Sequence, residues 1–190
     1  MSFERTRREP ARLATLCVWR TDSGKWMIRV QKAEEGDWPE IWQVIEPELR
    51  LGETYPIAPD VTQEQAHKVW LESPQSTYVA KDANGKVVAT YYLKPNQPGL
   101  GSHVCNCGYI VGERARGQGV GTLPCEHSQR EAVRLGYRAM QFNLVVSTNE
   151  PAIRLWKKMG FALVGALPGA FRHARLGFVD AYMMYKQLEQ

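Results

Sequence analysis

Apolar residues recur along this chain with two periods, and the alternation between them predicts its elements. Residues 26–33 carry β-branched and aromatic side chains in partial alternation, which predicts a first strand. Asp37, Pro39 and Glu40 then read as a helix start, followed by Ile41, Trp42, Ile45 and Leu49 at helical spacing. Pro47 interrupts that pattern and marks a candidate kink. Thr62 and Gln65 form a capping box that opens a second helix, with Ala66, Val69, Trp70 and Leu71 as its apolar side. Strands are predicted at 77–81 and 86–93 around Asn84-Gly85, a tight hairpin signal. A loop over 94–101 leads to a strand at 103–111. A helix over 118–135 turns Val120, Leu123, Ala132 and Leu135 inward, with Pro124 in its first turns. A strand at 139–145, a helix at 149–159 and strands at 161–167 and 179–188 complete the pattern. Residues 168–177 read as a long insert between the last two strands. Leu13 to Trp19 is apolar enough for an extra strand, and Thr21 to Gly24 reads as a turn.

The stretch 107–123 has chemical content of its own. An apolar strand runs into a basic turn with glycines at 117, 119 and 121, and a helix follows. Such glycines let the backbone curl and let a bulky anion approach the main chain. The helix behind them offers free N–H groups and the positive end of its dipole, and Arg116 adds a fixed charge. The pattern predicts a phosphate or pyrophosphate site. Gln118 and Gly119 stand where a P-loop needs Lys and Ser or Thr, and the third glycine comes one residue early for a dinucleotide fingerprint. An ordinary basic turn capping a helix would have the same composition.

Two motifs narrow the choice. Val111, Arg116, Gly119 and Gly121 meet V-x-x-x-x-[RQ]-x-x-G-x-[GA], and 149–161 is similar to N-x-x-A-x-x-L-Y-x-x-x-G-F. In that order they resemble the GNAT N-acetyltransferase superfamily, over residues 25–188. The segment Gly52-Glu53-Thr54-Tyr55-Pro56 loosely resembles its phosphinothricin and small-amine branch. The resemblance implies an α/β (α+β) single-domain fold. Its mixed, mostly antiparallel sheet would have about six or seven strands, splayed between the fourth and fifth predicted strands and flanked by about four helices. Residues 1–24 would be an N-terminal extension and 25–190 the acetyltransferase domain.

The resemblance also implies site roles. Acetyl-CoA would be the co-substrate, with no metal. Ile110 and Val111 would hydrogen-bond its pantetheine arm as a strand pairs with a strand. The turn Arg116, Gly117, Gln118, Gly119, Val120, Gly121 and Thr122 would hold the diphosphate, Asn149 would meet the pantetheine on its far side, and Trp156 would also touch the cofactor. Glu53, Thr54 and Tyr55 would touch the acceptor, or else Tyr55 plugs the edge of the core and Glu53 is solvated. Transfer from a thioester to an amine needs a neutral amine, a donor for the oxyanion and, at best, a proton for the thiolate. The family's usual acid is a tyrosine where this chain has Trp156, and an indole N–H cannot protonate a thiolate. Tyr182 or Tyr185 would replace it, or the thiolate leaves unassisted. His103 is the first choice of base and Glu53 the second, although His103 also fits a surface histidine at a strand start. His67 and His127 read as structural. His173, with Arg172 and Arg175, forms either a cationic lip for an acidic acceptor or a solvated loop.

Composition adds bounds. The 190 residues suit one domain, and the net charge of +4 suits an anionic cofactor without demanding nucleic acid. No apolar run reaches the roughly 20 residues of a membrane span. Arg5, Arg7, Arg8 and Arg12 precede no long apolar run, so no signal peptide is expected and the cytoplasm is the default. Cys17, Cys105, Cys107 and Cys125 have no C-x-x-C spacing and read as packed thiols. The leading expectation is an acetyl-CoA-dependent N-acetyltransferase acting on a small primary amine in a ternary complex, with no nucleic-acid or membrane partner. Acetylation of a protein or peptide amine and a non-catalytic acyl-CoA-binding module stay open, as does a homodimer.

Overall fold

The computed structural model describes residues 17–20 and 27–189. Eight strands form one sheet: β1 (Cys17–Arg20), β2 (Met27–Lys32), β3 (Ser76–Lys81), β4 (Val87–Pro95), β5 (Val104–Val111), β6 (Ala139–Val146), β7 (Ala162–His173) and β8 (Gly177–Gln187). Their order is β1-β2-β3-β4-β5-β6-β8-β7. All neighbours are antiparallel except β5 and β6, which are parallel. The extra strand expected before residue 20 is partly seen: residues 17–20 pair with β2 at the sheet edge. The rest of the expected appendage, and the turn at 21–24, lie outside the described residues.

The long helices are α1 (Trp38–Leu51), α3 (Thr122–Arg134) and α4 (Glu150–Lys158), with a short α2 (Gln63–His67). α1 runs unbroken through Pro47, which lies on its exposed side. Asp37 stands at the N-cap of α1 as expected, but its side chain makes no capping bond to that helix. It completes a capping box with Glu34 on the preceding 3-10 turn, and its carboxylate takes Lys81 at 2.6 Å. The Thr62–Gln65 box is formed as expected, but Val69 is exposed because the segment after α2 loosens into a π turn, Lys68–Glu72.

Helices cover both faces of the sheet. One core sets Trp38, Ile41, Ile45 and Leu49 of α1 with Trp70 against Val79 and Ile110. The other sets Leu123, Cys125 and Ala132 of α3 and Trp156 of α4 against Tyr78, Tyr91, Met140 and Phe142. Each fully buried large side chain contributes about 1.5–3 kcal/mol relative to exposure. The region expected as an insert is no insert. β7 and β8 continue as one long hairpin whose register runs to His173↔Gly177. Pro168 is tolerated because β7 is the sheet's edge strand, where an N–H can be spared.

Candidate functional site

The site begins where two strands part. β5 and β6 pair only at Val104↔Ala139, Cys105↔Met140 and Asn106↔Gln141. Beyond Asn106 they separate while β5 stays paired to β4. Gly112 N–H donates to Val88 O at 2.8 Å, and Ile110↔Thr90 lies in the same register. Alternation therefore turns the backbone groups of Ile110 and Gly112 toward β4 and those of Tyr109 and Val111 into the gap. Of the two residues expected to pair with the pantetheine arm, Val111 faces the gap and Ile110 does not. Tyr109 takes its place, a swap of parity that the sequence does not reveal.

The gap-facing carbonyls are already used. Tyr55 Oη donates to Tyr109 O at 2.7 Å, and Arg116 Nε donates to Val111 O at 2.9 Å. Burial pushes the Tyr55 and Tyr109 phenols well above their ordinary range, so both stay protonated. The Tyr109 hydroxyl lies 2.6 Å from Ser128 Oγ on α3, and its ring packs on Trp156.

The turn after β5 is built as its glycines predict, with one difference. Gly117 and Gly119 sit at φ 70° and 79°, where a Cβ is strained. Gly121 has φ −65°, a conformation open to any residue. An added Cβ there would make only ordinary contacts, 3.5 Å from both Leu155 and Val111, so position 121 does not require glycine. α3 starts at Thr122 rather than 118, and its first-turn N–H groups have no partner within the helix. Those of Thr122 and Leu123 make only long bonds, 3.2 and 3.3 Å, to Gly119 O and Val120 O. Asn149 caps α4 as expected, accepting from Ala152 N.

One cleft of about 1070 Å³ joins these parts. The glycine turn and the start of α4 line one side, and Glu48, Glu53, Thr54, Tyr55, His173 and Arg175 line the other. Ile110, Val111, Arg116, Gly117, Gly119, Gly121, Thr122, Asn149 and Trp156 all border it. Val120 is buried beneath the turn, and the Gln118 side chain donates to Arg114 O. Neither lines the cleft.

Two expected catalytic residues lie elsewhere. His103 is exposed, outside β5, and donates to Leu100 O at 3.1 Å. At about 3.3 Å per residue it stands roughly 25 Å along the strand from Val111. Tyr182 sits half-buried in the sheet between Val145 and Ala166 and does not border the cleft. Arg116, expected as a phosphate-facing charge, is ion-paired with Glu48.

Glu48 has an exposure of 9%. Its Oε1 accepts from Thr54 Oγ1 at 2.5 Å and its Oε2 faces Arg116 Nη2. Sequence reasoning missed it, although it lies seven residues after Ile41, on the helix's buried face. The tip of the β7–β8 hairpin closes the same side. Ala174 N–H donates to Gly52 O at 3.0 Å, Arg175 Nε pairs with Glu53 at 2.6 Å, and buried His173 accepts Arg175 N–H at Nδ1. Of the expected cationic lip, His173 and Arg175 border the cleft and Arg172 does not.

The described residues hold no cluster of His, Cys, Asp and Glu fit for a metal, and no helix among them is long and apolar enough to cross a membrane. Cys105, Cys107 and Cys125 are buried and free.

Comparison with known proteins gives a consistent answer. A family model described as "Acetyltransferase (GNAT) family" matches residues 31–161. N-acetyltransferase aca1 of Schizosaccharomyces pombe is 30% identical over 191 residues, covering 89% of this chain and 91% of that protein. The structure of a GCN5-related N-acetyltransferase from Kribbella flavida superposes with a TM-score of 0.80 at 41% identity, covering 85% of this chain and 98% of that one. A phosphinothricin acetyltransferase from Sinorhizobium meliloti in complex with acetyl-CoA shares the fold, with a TM-score of 0.75 at 17% identity over 85% of this chain and 88% of that one.

Proposed function

Because the chain belongs to the acetyltransferase (GNAT) family, we propose that it moves an acetyl group from acetyl-CoA to the primary amine of a small molecule, by direct attack in a ternary complex. One observation carries the reading. The open gap beside β5 lies in the same cleft as the glycine turn and the Glu53 carboxylate. The turn and the first turn of α3 hold the diphosphate through main-chain N–H groups. The N–H groups of Tyr109 and Val111, which have no strand partner on the β6 side, bind the pantetheine arm and the acetyl oxygen.

Glu53 takes the proton from the attacking nitrogen. The amine's lone pair forms the new C–N bond and the C–S bond breaks. Trp156 keeps its indole proton. The phenols of Tyr55 and Tyr109 hold theirs more tightly than a thiol of ordinary pKa about 8.5 would. The thiolate therefore leaves as the anion or takes a proton shed by the nitrogen.

The Glu53–Arg175 pair at the cleft's edge bears on the acceptor. A molecule carrying both an ammonium and an acid group replaces each half of that pair and strands neither charge. A plain amine leaves the exposed Arg175 to water alone, so the acid group adds the modest gain of a surface ion pair. We therefore favour acceptors with an acidic group near the amine, with the cytoplasm as the proposed compartment.

The test is thiol release from acetyl-CoA against a panel of amino acids, simple amines and peptides. Release with a small amine supports the reading. Release with peptides alone would move the acceptor class to proteins, and CoA binding without release on any amine would favour a binding module.

A further inference from the structure

We propose that Glu48 competes with the cofactor's diphosphate for the guanidinium of Arg116, and so is a positioning residue that ties the cofactor turn to the acceptor loop. The inference rests on the reading that the glycine turn holds the diphosphate of acetyl-CoA.

Glu48 stands at the meeting point of three segments. It belongs to α1, it accepts from Thr54 of the loop that follows, and it pairs with Arg116 of the turn before α3. A carboxylate this buried needs a cation or several donors to remain charged. Arg116 supplies the cation, and Thr54 the one neutral donor seen among the described residues.

Arg116 in turn sits between Ala115, buried beneath the turn, and Gly117, whose positive φ bends the chain. Its side chain is 45% exposed and borders the cleft. A guanidinium fork suits a carboxylate and a phosphate equally well. In this structure the fork is committed inward, to Glu48 and to Val111 O. A diphosphate arriving at the turn meets a cation already spoken for. Drawing Arg116 outward costs the Glu48 pair, so the pair lowers cofactor affinity.

The consequence reaches the other side of the cleft. Once Arg116 turns to the diphosphate, Glu48 keeps only its bond from Thr54, one residue from Glu53. The uncompensated charge then favours a cationic acceptor in that loop. Cofactor and amine would each strengthen the binding of the other, as any such coupling must be reciprocal.

The test is the affinity of the full chain for CoA, compared with pantetheine, which has the arm and no phosphate. Glu48→Gln keeps the shape of the side chain and removes its charge. We expect it to bind CoA about fivefold more tightly than the parent, with pantetheine binding unchanged. The gain should vanish in E48Q/R116Q relative to R116Q. A purely structural role for Glu48 gives the opposite sign, because a loosened turn binds CoA more weakly. CoA affinity in folded E48Q that is equal to or below the parent's overturns the proposal. If E48Q does not fold, E48D, which shortens the reach to Arg116, decides by the same sign. If the parent itself does not bind CoA, it is the acetyl-CoA reading that fails.

Discussion

The phenolic hydroxyl of Tyr55 donates to the main-chain carbonyl of Tyr109 at 2.7 Å, closing off an acceptor that β6 leaves unpaired. The bond pins the loop after α1 to the middle of the gap. Tyr55→Phe leaves that part-buried carbonyl, which borders the cleft, without its donor, at a cost of about 1 kcal/mol. We expect unfolding free energy, measured by urea denaturation, to fall by about that amount and the KM for acetyl-CoA to rise. Unchanged stability would mean that water replaces the phenol.

The glycine turn offers a contrast between neighbours. Gly119 has φ 79°, and an added Cβ there meets nothing within 4 Å, whereas Gly121 has φ −65°. Gly119→Glu places a carboxylate at the anion site in a backbone strained by about 1–2 kcal/mol, and CoA binding should be lost. Gly121→Ala has no strain at φ and only ordinary contacts. It should bind CoA within a few-fold of the parent by calorimetry.

Two histidines give opposite pH dependences. His127 is buried, with Nδ1 2.6 Å from the Tyr91 hydroxyl, and burial lowers its pKa to about 4. Its contribution is complete above the unfolded value of about 6.5 and is lost as pH falls toward 4, by about 2–3 kcal/mol. His127→Gln should flatten the decline in urea midpoint between pH 7 and pH 4.5. His67 lies between Glu35 and Glu72, at 2.7 Å from each. Burial alone would lower its pKa, but the two carboxylates outweigh it and the value is raised. That contribution is present below about 6.5 and is lost as pH climbs through the raised value. His67→Gln should be most destabilising at acidic pH and least above neutrality.

Arg175 supplies a charge test of the acceptor. Leucine, leucinamide and isoamylamine share a side chain and differ in the acid group. The parent should prefer leucine, and Arg175→Gln should reduce that preference about two- to fivefold while CoA binding holds. Equal kcat/KM for leucine and leucinamide in the parent would remove Arg175 from acceptor recognition.

What the sequence disclosed follows from what its signals encode. The glycine turn, the Thr62 and Asn149 caps and the Asn84-Gly85 hairpin are local features written in adjacent residues, and each formed as expected. Strand parity is not local. Whether Ile110 or Tyr109 faces the gap depends on the register with β4, which no single strand encodes. His103 matched by parity but lay one residue before the strand and at its far end. Residues 168–177 read as an insert, yet β7 continues through Pro168 because an edge strand can spare an N–H. The Glu48–Arg116 pair joins residues far apart in sequence, and only Glu48's place on an apolar face hinted that it needed a partner.

The hairpin of β7 and β8 divides labour along its own length. Near its base it extends the sheet, and at its tip it delivers Arg175 and His173 to the side of the cleft that Glu53 lines. Trimming or lengthening that tip by a two-residue step would keep every inward and outward side chain in register while changing which charges border the cleft. Selectivity for new acceptors can therefore be sought by redesigning a few residues around 174–176, with the glycine turn left untouched.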